Sequence, residues 1–447
     1  MGILGIAWRS IRQRPLTSLL TSLSLALGVA LVVATLVMAG LVQKAFESGA
    51  GLGYNMIIGA KGSPLQLVLN SVYFISKPIE NLPWTVYQDF LPAARRGDAT
   101  DGRYAASTKT AVPICMGDYF RSFRVVGTTA GFFADLRRGD GSPFAFAAGE
   151  NFRDDDFFAG VLGAAVAAKL DLRVGDAFSP THGADDGAVH DPFRVVGILA
   201  RTDTPIDRGV FVNMEGFYLQ DGHAKPLPDG VEPPPAPPPG VDGRPAPLPE
   251  AQREVTAILL ETASQPGLPG MPGLPAELTA MGLRTVINEG RDAQAVLPIG
   301  EIRQLLDLFV RPLELLLLVV TALVVLVSAI GILVSMIGSS LERTRDVAIM
   351  RALGARRSHV LAAVLAEAIL LAVGGGLVGW ILGHLLVGAL GPWISTNAGV
   401  TASVLSGAPG AELLLVPALI LLGIAAALIP AIAAYRTDVA RWLQGPG

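Results

Sequence analysis

The chain has 447 residues, a net charge of −4 and a mean hydropathy of +0.50, with 51% hydrophobic and only 16% charged residues. That balance excludes an ordinary soluble globular protein and gives no electrostatic footprint for nucleic acid. It fits a membrane protein that also carries a sizeable polar domain. The single cysteine, Cys115, excludes an intramolecular disulfide and a cysteine-rich metal site, and its setting in AVPICMGDYF reads as a buried strand residue rather than a nucleophile.

Residues 1–15 carry Arg9, Arg12 and Arg14 and no acid, and an apolar run follows over 16–42. A signal peptide has the same form, but this run is too long for its apolar region and no convincing A-x-A cleavage site follows. The expectation is an uncleaved transmembrane helix with the N-terminus in the cytoplasm. Ser18, Ser22, Ala26, Ala30 and Ala34 recur every four residues, so one face is smooth enough for close packing on another span.

Over 43–311 no stretch is long and apolar enough to cross a bilayer, so this region is expected to form an extracytoplasmic domain. Gly59–Pro64 (GAKGSP) lacks the G-x-x-x-x-G-K-[ST] spacing of a phosphate loop and reads as a turn after a short strand. A helix is predicted at Pro83–Arg96, and strands at Arg103–Cys115 and Phe123–Thr128. A second helical piece around Gly160–Leu172 leads into the turn Leu172-Arg173-Val174-Gly175-Asp176, and Phe193–Leu199 alternates as a strand. Residues 225–250 are dominated by proline, which cannot form strand ladders, and read as a solvated insert. A second such patch, Gln265–Pro275, flanks a strand candidate at Glu254–Glu261. Asn288–Arg311 reads as a helical stalk that reaches the membrane at Pro312.

The rest of the chain predicts transmembrane helix 2 (312–337), a charged cytoplasmic segment (338–359), transmembrane helix 3 (360–390), an outer loop (391–411), transmembrane helix 4 (412–434) and a cytoplasmic tail (435–447). Gly375, Gly379 and Gly383 give two overlapping G-x-x-x-G repeats, which let helix backbones approach closely. Lys and Arg number three, five and two in the short inner segments and zero in the outer loop, a distribution that puts both termini inside. The charged segment cannot lie in hydrocarbon, where a central charge costs roughly 2.5–3.5 kcal/mol on insertion scales. Val347, Met350, Ala352 and Leu353 fall near helical spacing among Arg343, Arg345, Arg351, Arg356 and Arg357. This predicts a short amphipathic helix on the cytoplasmic face, stopped at Gly354.

Little in the sequence points to catalysis. It has no phosphate loop, no G-x-S-x-G and no H-E-x-x-H, and its five histidines do not group with catalytic partners. The stretch His182-Gly183-Ala184-Asp185-Asp186 with His190-Asp191 has the residue types to hold a divalent ion, but a solvated turn rich in Asp and Gly is the favoured reading. No metal or cofactor is therefore expected. Glu367 and His384, inside the third span, are read as structural groups facing the bundle.

The run Glu342-Arg343-Thr344-Arg345-Asp346-Val347-Ala348-Ile349-Met350-Arg351-Ala352-Leu353-Gly354-Ala355 resembles the coupling segment of MacB/FtsX-type ABC permeases, with Asp346 for Glu and Met350 for Leu in the family's pattern. The helix, Leu172–Asp176 and Phe193–Leu199 are similar to the periplasmic core domain of MacB-type members, Asp203–Phe211 fits the segment that follows there, and GAKGSPLQLVLN resembles stretches in one branch of the family. The resemblance implies an α-helical membrane protein with four transmembrane helices plus an α+β extracytoplasmic domain inserted between helices 1 and 2. It implies a non-enzymatic subunit in the cell inner membrane, partnered by two copies of a separate ABC ATPase. It also implies a homodimer or pseudo-symmetric heterodimer, with a periplasmic adaptor or lipoprotein as a further partner. Glu342, Arg343, Arg345, Asp346, Met350, Arg351, Leu353 and Gly354 would then meet the ATPase, and cargo would be lipoprotein, peptide or a small molecule. The alternative is an FtsX-like signalling scaffold that activates a cell-wall hydrolase.

Overall fold

The computed structural model describes residues 2–50, 53–183, 187–227, 245–267, 273–342, 354–398 and 412–435. They divide into a helical unit, formed by Met1–Val42, Leu308–Ile394 and Thr401–Gly447, and a sheet-rich unit, formed by Gln43–Asp307 with Ser395–Val400.

The helical unit begins with a short amphipathic helix, Ile3–Gln13, which the apolar-run reading missed. Pro15 ends it, because proline pushes the residue before it out of the helical region; Arg14 sits at φ −130° and ψ 65°, and Pro15 starts a new helix. Four long helices follow, Pro15–Ala50, Arg311–Glu342, Arg357–Ala398 and Leu415–Tyr435. Each contains a stretch apolar and long enough to cross a membrane. Leu16, Leu316, Val327, Leu386 and Ile429 are among the large apolar side chains left exposed on these helices, an arrangement suited to lipid contact. A π-helical turn, Leu306–Val310, precedes the second long helix; Pro312 has no N–H to give to the turn before it, which loosens the ladder there. The third helix runs on to Ala398, through Pro392, beyond the expected end at 390.

The sheet-rich unit contains β1 (Met56–Gly59), β2 (Leu82–Pro83), β3 (Thr108–Phe120), β4 (Phe123–Thr128), β5 (Phe146–Gly149), β6 (Ala159–Leu162) and β7 (Ala177–Phe178). After them come β8 (Thr181–His182), β9 (Phe193–Leu199), β10 (Val210–Asn213), β11 (Glu254–Val255), β12 (Ala257–Thr262) and β13 (Gln294–Val296). The main sheet runs β13-β1-β12-β3-β4-β10-β6-β9-β5, with β8 on β3 and β7 on β9, while β2 and β11 pair separately. It is mixed: β10 lies parallel to β4 and β6 parallel to β9, and the other pairs are antiparallel.

Both faces of the sheet are covered. Met56, Ile58, Val125 and Leu162 point into one core, which the helix Ala276–Glu289 closes with Ala280, Leu283 and Ile287. Ile57, Val126, Val161 and Phe211 point into the other, under Leu67 and Val68 of the helix Pro64–Ser71 and beside Phe132 and Phe133. Adjacent residues therefore serve opposite cores, as the two-residue period of a strand requires.

Three helix predictions in this unit are corrected. Pro83–Arg96 is two short helices, Trp84–Gln88 and Ala93–Arg96, because Pro92 stands between them. The first part of Gly160–Leu172 is strand β6, paired on both edges and buried on both faces, so its apolar run has no helical period; the helix is only Ala164–Leu170. Asn288–Arg311 is not continuous: Gly290 ends the helix Ala276–Glu289, β13 pairs with β1, and a new helix begins at Pro298. The strand predicted at Phe123–Thr128 and that at Phe193–Leu199 are found with those ends. Most of the proline-rich insert, 228–244, and part of the second patch, 268–272, lie outside the described residues.

Candidate functional site

In the helical unit the small residues of the first long helix meet the glycines of the third. A Cβ placed on Gly375 would stand 2.8 Å from the Ser22 carbonyl oxygen, and one on Gly383 2.9 Å from that of Ala30. At Gly379 it would come closer still to the Ala26 carbonyl and within 2.8 Å of Val29 Cβ. The two stripes, each with a period of four, lie against one another along two turns. Leu25, Val29 and Val33 flank the seam and are buried. Elsewhere, Ser24 and Ser328 pair hydroxyl to hydroxyl at 3.2 Å, which ties the first long helix to the second, and Gly423 of the fourth packs on Ala368 and Ala372 of the third.

Several polar groups inside this unit are paired, while Thr321 Oγ1 and His384 Nδ1 are buried without a hydrogen-bond partner. Ser10 donates a hydrogen bond to the Glu367 carboxylate, so the N-terminal amphipathic helix lies against the start of the third long helix. Glu367 is buried there, as the reading of a bundle-facing group expects. His384 Nε2 is 3.2 Å from Glu412 Oε2, and Trp380 Nε1 donates to the same oxygen at 3.0 Å, a cluster whose acid the sequence reading did not single out. The Arg357 guanidinium sits 5.8 Å from the centre of the Tyr435 ring, which brings the first turn of the third helix beside the last turn of the fourth.

Of the coupling residues, Glu342 ends the second long helix and Gly354 adopts φ +99°, the left-handed conformation that stops a helix cheaply only at glycine. Arg343, Arg345, Asp346, Met350, Arg351 and Leu353 lie outside the described residues.

A second constellation sits in the sheet-rich unit. Three of the five histidines come together there around an aspartate, where the sequence favours a solvated turn over an ion site for His182 and His190 and does not bring in His223. His182, His190 and His223 surround Asp118, all four ligand atoms lying within 4.8 Å of one another. Asp118 is on β3, next to an irregularity in the β3–β4 register between Met116 and Tyr119, and faces His182 across the β3–β8 pair. His182 and His190 stand on one hairpin, closed by backbone bonds from His182 N to Ala188 O and from His190 N to Pro180 O, both 2.9 Å. His223 follows the helix Met214–Tyr218 and its Nδ1 is 2.7 Å from the Phe217 carbonyl oxygen. Burial holds the His190 imidazole below the usual histidine range, opposed by the Asp118 carboxylate beside it. The sequence reading had placed His182 and His190 in a solvated turn with Asp185, Asp186 and Asp191. Asp185 and Asp186 lie outside the described residues, Asp191 is exposed, and the partners actually supplied are 64 residues before and 41 residues after His182.

Cys115 is buried on β3 beside the Tyr218 hydroxyl, and burial pushes its thiol up to about 12, which leaves no thiolate nucleophile at neutral pH.

Compared with known families, residues 18–231 match the MacB-like periplasmic core domain and residues 318–439 the FtsX-like permease C-terminal domain. No curated protein matches the chain.

Proposed function

The chain belongs to the MacB/FtsX-type ABC permeases, and from that premise we propose that it transmits the ATP-driven motion of a separate ATPase across the membrane to an extracytoplasmic domain, exporting or extracting lipoprotein, peptide or small-molecule cargo. Permeases of this family generally leave ATP hydrolysis to another subunit. The proposed assembly has two ATPase copies on the cytoplasmic face and two permeases, as a homodimer or pseudo-symmetric heterodimer, in the cell inner membrane. Residues 43–311 would form the outer domain and 338–359 the coupling segment. Arg343, Arg345 and Arg351 would pair with acids of the ATPase, Glu342 and Asp346 with its bases, and Met350 and Leu353 would enter an apolar groove.

The observation that carries this reading is the seam between the first and third long helices. The third helix starts at Arg357, three residues after Gly354 and within the coupling segment, and the first leads in the chain directly to β1 of the sheet-rich unit. Backbones in contact over two turns move together, since a close-packed interface has little room to absorb a displacement. Sidedness has separate support: the exposed Arg9 and Arg12 belong to the helix that Ser10 fixes against Glu367, ten residues from Arg357, so the basic residues gather at one end of the bundle.

The test reverses the charge of Arg345 and Arg351 together, in vesicles reconstituted with the ATPase that co-purifies with the chain. Stimulated ATP turnover should be lost while membrane insertion stays intact; unchanged coupling would refute the proposal. If the isolated complex retained a cell-wall hydrolase and showed no cargo-dependent turnover, the signalling reading would replace transport.

A further inference from the structure

We propose that Asp118, His182, His190 and His223 form a binding site for a divalent transition-metal ion, Zn²⁺ foremost, in the sheet-rich unit. Three imidazole nitrogens and one carboxylate oxygen are a donor set that suits zinc in a four-coordinate tetrahedral site.

The spacing fits the ion. With metal–ligand bonds of about 2.0–2.1 Å, the ligand atoms of a tetrahedron stand roughly 3.3 Å apart. Around Asp118, His223 Nε2 is 3.2 Å from Oδ1, His182 Nδ1 3.4 Å from Oδ1, and His190 Nε2 3.4 Å from Oδ2. His182 Nδ1 and His223 Nε2 are 3.3 Å apart. Two of the contacts are to Oδ1 and one is to Oδ2, and the four ligand atoms all lie within 4.8 Å of one another, so a modest closure onto one oxygen brings them around a single centre.

Hydrogen bonding alone leaves the cluster unsatisfied. Asp118 has no exposed surface, yet neither carboxylate oxygen has a hydrogen-bond partner, and the buried Nε2 of His190 has none either. A buried carboxylate without a donor is costly, and a cation that takes its lone pair removes that cost. The tautomer of His223 points the same way. Its Nδ1 donates to the Phe217 carbonyl, so in the neutral ring Nε2 carries a lone pair aimed at the acceptor Asp118. Two acceptors facing each other repel unless a proton or a metal ion stands between them, and a ligating histidine held by a backbone carbonyl through its other nitrogen is the usual outer-shell arrangement of metal sites.

The ligands come from three separate segments: β3, the hairpin carrying β8, and the loop after the helix Met214–Tyr218. Four protein ligands complete a tetrahedron, so the site is of the structural kind and staples the hairpin and the loop to the sheet. His182 is half-exposed and, with His223, lines a cleft of about 210 Å³ that gives the ion a way in.

The test is titration of the full-length chain, purified in detergent without a histidine tag and stripped with chelator, with Zn²⁺ by calorimetry and with Co²⁺ by visible absorption. The expected result is one ion per chain, with the intense visible bands of tetrahedral Co²⁺. Asp118→Asn should weaken binding at least 100-fold. His182→Ala, at the half-exposed ligand where truncation spares the core, should do the same while keeping the circular dichroism of the unaltered chain. No binding, an octahedral Co²⁺ spectrum, or unchanged affinity in a folded His182→Ala variant would overturn the assignment.

Discussion

Replacing Gly379 with alanine tests the seam most directly. The added methyl would stand 2.8 Å from Val29 Cβ, where carbon atoms in contact prefer about 3.5–4.0 Å, and nearer still to the Ala26 carbonyl oxygen. Backbone and Cβ atoms have no rotamer to escape into, so the helices must separate by roughly 1 Å. Overpacking of that kind costs about 1–3 kcal/mol, against at most about 1 kcal/mol gained from the better helix propensity of alanine. Gly374 is an internal control on the same helix: a Cβ there meets nothing within 4 Å, so Gly374→Ala keeps the gain alone. The two variants should differ by about 1–3 kcal/mol, with Gly379→Ala the less stable. Denaturant unfolding of the full chain in mixed micelles, followed by the fluorescence of Trp380 and Trp393 in a background where Trp8, Trp84 and Trp442 are replaced by phenylalanine, would measure it. If Gly379→Ala proved as stable as Gly374→Ala, the close approach would be wrong and with it the rigid coupling it supports.

Truncating Phe211, fully buried and ringed by Phe74, Phe132 and Phe133, to alanine should cost about 3–5 kcal/mol, read as a loss of thermal stability of the sheet-rich unit. Asp207, buried, accepts bonds from Thr202 N, Thr202 Oγ1 and Asp203 N, yet burial raises its carboxyl above the ordinary aspartate range. Because the folded chain then binds the proton more tightly than the unfolded one, this group favours folding increasingly as pH falls from its raised value towards 3.8. Asp207→Asn should flatten that part of the stability–pH curve. Cys115 should resist maleimide in the native chain and react once the chain is unfolded. That inertness allows a sidedness test: in intact cells an impermeant maleimide should label Ala168→Cys but not Ser358→Cys, and the reverse pattern would invert the proposed topology.

The parts of the fold that were legible in the sequence are those whose pattern is set by a neighbour in the chain or by the solvent. The apolar runs around 16–42 and 360–390 announce helices because only a helix satisfies its own backbone in lipid, and Phe193–Leu199 alternates because its two faces see different surroundings. β6 hid inside an apparent helix because the sheet covers it on both sides, and an apolar run with no polar face has no period to read. β13 hid because three residues are too few to show alternation and its partner, β1, lies more than 230 residues earlier in the chain.

The same reasoning separates the two constellations. Each stripe was legible by itself because it is local: Ser22, Ala26 and Ala30 on one helix and Gly375, Gly379 and Gly383 on another repeat with the period of a single face, but which two faces meet is set by the folded bundle. The histidine–aspartate cluster has no such period. Only the His182 and His190 pair is near in sequence, and eight residues apart in a Gly- and Asp-rich stretch they resemble any solvated hairpin. Asp118 and His223 join them through the sheet. Asp118 lies beyond Cys115, where the predicted strand ends, yet β3 runs on to Phe120 and buries it at the irregularity, where a register shift re-aims side chains. A carboxylate buried without a donor is a property of the folded chain alone. It marks a site where a buried carboxylate meets three imidazoles at 3.2–3.4 Å without a well-formed hydrogen bond to any of them, a set of donors that a cation would complete.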